Sequence, residues 1–232
     1  MKAEAEARVD TYWAEVFDVD VARIWEPGIH TTWARDPWPG VYVLVRPGVV
    51  RLRAPDRSRA ELEPILQTVG GADALDVDRW QRVLGAFSPR ILGPAIHSYR
   101  GDGLPVDGAG IEPVSGVEVL AFSREVGDAE FEESGLADAS RMFGVRADGR
   151  LAAVSGLSDW MGQPSDIGVL TLPGLRGRGH GRRVAAAAVN DAIATAGIAR
   201  WRSLAGNTAS RSLARSLGFE DRGENIGIRL TL

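Results

Sequence analysis

Leu172-Pro173-Gly174-Leu175-Arg176-Gly177-Arg178-Gly179-His180-Gly181-Arg182-Arg183 is the stretch on which the fold turns. An apolar run from Ile167 to Leu172 leads into it and reads as a strand. A helix from about Gly181 to Ala196, stopped by Gly197, leads out of it. Backbone N–H groups at a helix start have no intrahelical acceptor, and the helix dipole adds partial positive charge there. Glycines at 177, 179 and 181 let a phosphate approach that backbone closely. Two familiar phosphate loops are excluded by spacing. A dinucleotide fingerprint laid on Gly177 and Gly179 requires glycine where Arg182 stands, and a Walker loop from Gly174 to Gly179 requires lysine where His180 stands.

Working outward, the segment Val117 to Phe122 reads as a strand and Asp128 to Ser134 as a short helix. Strands then follow over Arg141 to Arg146 and Leu151 to Ser158, joined by the Asp148-Gly149 turn. Beyond the helix come a strand Arg200 to Leu204, a helix Thr208 to Leu217 and a strand Ile226 to Leu232. Upstream, Ala3 to Phe17 has helical periodicity, and Val41 to Val45 and Val49 to Leu52 flank a Pro47-Gly48 turn as a hairpin. Ser58 and Glu61 have capping-box spacing ahead of a helix limited by Pro64. Leu75 to Phe87 marks another helix, and Ala95 to Tyr99 another strand. Gly, Asp and Pro without periodicity fill the stretch from Arg100 to Ser115. This reads as an α/β (α+β) protein: a smaller N-terminal α/β domain at 1–105, a linker at 106–115, and a mixed central sheet flanked by helices at 116–232.

The glycine loop resembles the (Q/R)-x-x-G-x-(G/A) signature of the GNAT superfamily of acyl-CoA-dependent N-acyltransferases, with Arg176, Gly179 and Gly181 on the fixed positions. Downstream, Asn207 to Phe219 resembles the family's N-x-x-A-x-x-L-Y-x-x-x-G-F segment. The resemblance covers about Gly116 to Leu232, and the first half is expected to be at most a degenerate copy of the same fold. It implies that Arg176, Gly177, Arg178, Gly179, His180 and Gly181 cradle the pyrophosphate of acetyl-CoA, the acyl donor, with charge added by Arg178, Arg182 and Arg183. His180 reads as a solvent-facing member of the loop. Val169, Leu170 and Thr171 are implied to bond the pantetheine arm in a splay between their strand and Arg200 to Leu204, a backbone N–H near Leu170 serving the oxyanion. Asn207 is implied to reach the pantetheine or the thioester, and equally reads as a helix N-cap. The family's thiolate-protonating tyrosine falls on Ala214, and Tyr12, Tyr42 and Tyr99 all lie in the first half. Ser210, water, or departure without an acid remain as alternatives.

Amine acylation needs a base, and carboxylates are the plentiful candidates. Glu133 and Asp159 are the leading choices, with Glu132 and Asp166 behind them and Trp160, beside Met161, as a wall of the acceptor pocket. The expected acceptor is a primary amine of a small molecule or peptide. A CoA-binding regulatory or scaffold protein that has lost turnover is the alternative.

Composition narrows the remaining classes. The chain of 232 residues has no cysteine, which excludes disulfides and thiolate chemistry. Lys2 is its only lysine, and His30, His97 and His180 have no metal-ligand spacing, so no metal is expected. Gly116 to Gly168 holds 4 arginines against 10 acids, whereas Val169 to Arg215 holds 8 arginines against Asp191 alone, a polyanion site beside an acidic surface. Nucleic acid is not an expected partner, because aromatics are not interleaved with the arginines. The start of the chain is charged and no run approaches the roughly 18 apolar residues of a span, so no membrane partner and a cytoplasmic location are expected, with a homodimer compatible.

Overall fold

The computed structural model describes residues 1–35, 38–105, 110–160 and 163–231, without the side chains of 163–165. In chain order the elements are α1 (Ala3–Val16), β1 (Gly28–Ala34), β2 (Gly40–Arg46), β3 (Val49–Pro55), α2 (Arg59–Leu66), α3 (Val77–Val83), β4 (Arg90–Arg100) and β5 (Ile111–Pro113). There follow α4 (Gly116–Val126), α5 (Asp128–Ser134), β6 (Ala139–Ala147), β7 (Arg150–Trp160), β8 (Gln163–Thr171), α6 (His180–Ala196), β9 (Ala199–Leu204), α7 (Thr208–Ser216) and β10 (Glu220–Arg229). They divide into two compact units, neither contiguous in sequence. One is Met1–Arg8, Tyr99–Arg202 and Ala209–Glu220, and the other is Val9–Ser98, Ser203–Thr208 and Asp221–Leu232.

The unit built mainly from the first half has strand order β1-β3-β2-β10-β4. Its centre is the β2–β3 hairpin, turned by Gly48 at φ 76°. β10 lies antiparallel on the other edge of β2, with Ile226 opposite Val43 and Ile228 opposite Val41. These residues bury one sheet face with Leu52, Leu62 and Trp80. Trp13 of α1 packs with Tyr42, their rings stacked at 6.0 Å. The expected division at 106–115 is therefore corrected. The last strand belongs with the first half because its alternating isoleucines complete that apolar face.

The second unit has strand order β9-β8-β7-β6-β5. β5, β6, β7 and β8 are antiparallel neighbours, and β9 runs parallel to β8, which the crossover through α6 requires. Val154, Leu170 and Leu172 face Phe122 of α4 and Leu136 on one side of the sheet, and Leu157 and Ile167 face the alanines of α6 on the other. Ala185, Ala188 and Ala192 are small enough to lay that helix close to the strands.

Three expectations fail here for identifiable reasons. Val117 to Phe122 is helix, not strand: Ser115 Oγ accepts from Glu118 N and the Glu118 carboxylate accepts from Ser115 N, a complete capping box that starts α4. The expected linker contains β5, paired with β6, and just before it Leu104 exchanges two hydrogen bonds with the Asn190 side chain of α6. The first four residues of that linker, 106–109, and Met161 lie outside the described residues. The Ser58 cap is the third departure, since its side chain makes no capping bond.

Candidate active site

The register of β8 determines which of its backbone groups are available. Leu172 N donates to Ala152 O at 3.0 Å, and from there the β7–β8 pairs run without interruption through Leu170/Val154, Gly168/Gly156 and Asp166/Ser158. Opposed residues of an antiparallel pair alternate between hydrogen-bonded and non-bonded. Leu170, Gly168 and Asp166 therefore turn their N–H and C=O groups toward β7, and Val169 and Thr171 turn theirs toward β9. This corrects the expectation for Leu170: its N–H is committed to the sheet, and Val169 carries the amide that faces the other way.

On that side the strands part. Among the described residues the parallel β8–β9 ladder registers a single pair, Asp166 with Arg200, and does not continue to Ile167 and Trp201. The edge of β8 from Val169 to Thr171 is thus a strand edge without a ladder partner, suited to an extended chain bearing amides.

The loop at the end of this edge needs each of its glycines for its own reason. Gly177 and Gly179 have φ of 75° and 83°, backbone that costs a side-chain-bearing residue roughly 1–3 kcal/mol. Gly181 is required by contact, because a Cβ there would stand 2.8 Å from Thr171 Oγ1. Helix α6 begins at His180 with no side-chain cap, and the first intrahelical bond is Arg183 N to Gly179 O. The N–H groups of His180, Gly181 and Arg182 precede that bond and have no acceptor within the helix. Together with the helix dipole they leave the start of α6 partially positive, a cradle suited to an anion.

The side chain of Arg176 has a structural task. Its Nε donates to Thr171 O at 3.2 Å and its Nη2 pairs with Glu130 of α5, so it ties the loop to the end of β8. Arg178 and Arg182 are exposed around the cradle, and His180 is half-buried rather than solvent-facing.

On the sheet face covered by α5, Gly168 lets the last turn of that helix come close: a Cβ on it would overlap the Ser134 carbonyl oxygen. Glu133 is the preceding residue and is exposed. Asp159 is exposed at the irregularity between Ser158 and Trp160 near the end of β7. Asp166 is not a surface acid. It is held by Arg200, with Nε to Oδ1 at 3.2 Å and Nη2 to Oδ2 at 2.9 Å, and this pairing commits its carboxylate. The Arg200 guanidinium lies over the Trp160 ring, 4.9 Å from its centroid. Sequence reading missed Arg200 because its partner is 34 residues away and no spacing announces the pair.

Ala214 is buried among Trp201, Leu217 and Phe219, so the position of the family's tyrosine presents a methyl group. Ser210, one helical turn earlier, accepts from Trp201 Nε1 at 3.0 Å. Asn207 lies in the turn before α7, its N–H donating to Leu204 O at 2.9 Å, and belongs to the other unit. Among the described residues no cluster of three metal-binding side chains occurs, and no helix is long and apolar enough to cross a membrane.

Residues 116–219 match the acetyltransferase (GNAT) family model. The chain is similar in fold to a solved Drosophila protein, with TM-score 0.51 and 18% identity over 85% of this chain and 76% of that one. Coverage of that extent reaches into the first half as well. A protein from Novosphingobium aromaticivorans described as a GNAT-family acetyltransferase is 24% identical over 60% of this chain and 66% of its own, with TM-score 0.46. A tandem GNAT protein from the clavulanic acid biosynthesis pathway is 16% identical over 65% of this chain and 58% of its own, with TM-score 0.43. This chain thus spans about two thirds or less of the length of the latter two proteins. A comparison with curated proteins returns no significant match. A strand with an open edge, a glycine loop of fixed spacing and an uncapped helix start follow one another within residues 116–219, the part of this chain that matches the acetyltransferase (GNAT) family model.

Proposed function

We propose that the protein moves an acetyl group from acetyl-CoA to a primary amine of a small molecule or peptide by direct attack. The observation that carries this reading is the open edge of β8 running into the cradle at the start of α6. The pyrophosphate lies on the amides of His180, Gly181 and Arg182, with Arg178 and Arg182 screening its charge. The pantetheine amides extend the sheet along Thr171 and Val169, and the Val169 N–H meets the thioester oxygen as it becomes an oxyanion. The amine lone pair forms the C–N bond, the C–S bond breaks toward sulfur, and the amine proton leaves to a base. Glu133 and Asp159 are the carboxylates assigned to that role. The departing thiolate takes its proton from Ser210 or from water, since Ala214 has none to give.

The same methyl group favours a second reading, a protein that binds acyl-CoA and turns it over weakly. Incubation with acetyl-CoA and a panel of amines, with free thiol followed over time, separates the two. Amine-dependent thiol release supports transfer. Binding without release supports the second reading, and the absence of both defeats each of them. Gly179→Val supplies the control, because a β-branched residue at φ 83° distorts the cradle. It is expected to remove the thermal shift given by acetyl-CoA, which for wild type is about 2.7 kcal/mol at a hundredfold excess over Kd.

A further inference from the structure

The open edge of β8 has a closed end. Asp166 and Arg200 are the registered backbone pair between β8 and β9, and their side chains join at the same point through two hydrogen bonds. Both are largely withdrawn from solvent, with side-chain exposures of 18% for Asp166 and 4% for Arg200. The Trp160 ring backs the guanidinium at 4.9 Å. A paired carboxylate and guanidinium with an indole behind them form a plug whose charges satisfy one another.

We infer that this plug sets the length of acyl group the protein accepts, limiting it to short chains; the inference rests on the acyl-CoA reading above. The thioester carbonyl is read at the Val169 N–H, and the plug stands three residues further along β8, roughly 10 Å away at about 3.3 Å per residue. The acyl group points from the thioester toward that end, since the pantetheine arm occupies the opposite direction along Thr171. An acetyl or propionyl group fits well within that span, and an acyl chain of about eight carbons, as long as the span itself, meets the ion pair. Arg200 is on this account a specificity-determining residue that touches neither the attacking amine nor the sulfur.

The test compares acetyl-CoA with octanoyl-CoA on the full chain, by kcat/KM with an accepted amine and by calorimetric Kd without one. Wild type is expected to prefer acetyl-CoA by about 100-fold or more. Asp166→Ala with Arg200→Ala removes both charges together and opens the end, and is expected to lower that preference at least about 10-fold. Asp166→Leu with Arg200→Met keeps the bulk without the charges and is expected to keep the preference, which separates length from electrostatics. If the alanine pair does not fold, Trp160→Ala frees the guanidinium to move aside and is expected to lower the preference in the same direction. Wild type that uses both donors equally, or folded alanine variants that retain the preference, overturn the plug while leaving acetyl transfer intact. Wild type that binds neither donor overturns the acyl-CoA reading and the plug with it.

Discussion

Gly177, Gly179 and Gly181 look alike in the sequence and do different work. The first two permit left-handed backbone, and the third permits the start of α6 to touch Thr171. Gly181→Val is therefore expected to lower Tm even without ligand, whereas Gly174→Val, at a position with no neighbour within 4 Å of a Cβ, is expected to leave Tm within a degree or two, about the effect of an ordinary surface substitution. A differential melting curve of both variants checks this. Glu133 poses a different question, that of base against steering charge. If it takes the proton, Glu133→Gln loses turnover strongly at neutral pH and recovers part of it as pH rises and more free amine forms. A small loss equal at every pH assigns Glu133 to steering alone and leaves Asp159 as the base.

The helix α4 shows how a cap overrides an apolar run. Val117 to Phe122 has strand-like composition, but Ser115 and Glu118 satisfy each other's backbone groups and Arg146 adds an ion pair to Glu118 at 2.6 Å. Hydrogen bonds from Ser115, backbone first, and then Arg146 lower the Glu118 pKa to about 2 from its ordinary 4.5. A depressed carboxyl pKa contributes stability that is present above about pH 4.5 and is lost as pH falls toward 2. The Tm difference between wild type and Glu118→Gln is thus expected to be largest above pH 5 and to shrink steadily down to pH 2, measured at constant ionic strength. A constant difference across that range removes the cap's charge from the account. The Ser58 and Glu61 pair had the same spacing and made no box, so spacing nominates a cap and local geometry decides it. For β6, β7, β8, α6, β9 and α7 the periodicities give the element type directly, because their alternation or helical stripe coincides with the face each one buries.

The chain as a whole is divided by pairing rather than by sequence position. β10 is the last strand, and its partner β2 is among the first. A chain beginning at Gly110 would keep Ile226 and Ile228 but lose Val41, Val43 and the rest of their apolar face. It is expected to be insoluble or unfolded, judged by circular dichroism and gel filtration. A soluble, cooperatively melting fragment would show that β10 does not need the first half. The charge reversal after Gly168 is likewise redistributed by the fold. Glu118 and Glu125 pair with Arg146 and Arg150 of the same acidic stretch, whereas Glu130 and Asp166 pair with Arg176 and Arg200 of the basic one, so part of the acidic excess is met across the reversal.

The glycine loop, the strand before it and the helix after it were legible from residue order, because each depends on neighbours within a few positions: φ at a glycine, a helix start, an alternating strand. Such features are local, and a local sequence specifies them. The direction of the Val169 and Leu170 amides depends on register with β7, a one-residue matter that reverses every lateral group. The Asp166–Arg200 pair, the dual allegiance of the chain's two ends and the committed carboxylates depend on which distant segments meet. Loop closure over such separations leaves no periodic trace along the chain, so only the folded molecule decided them.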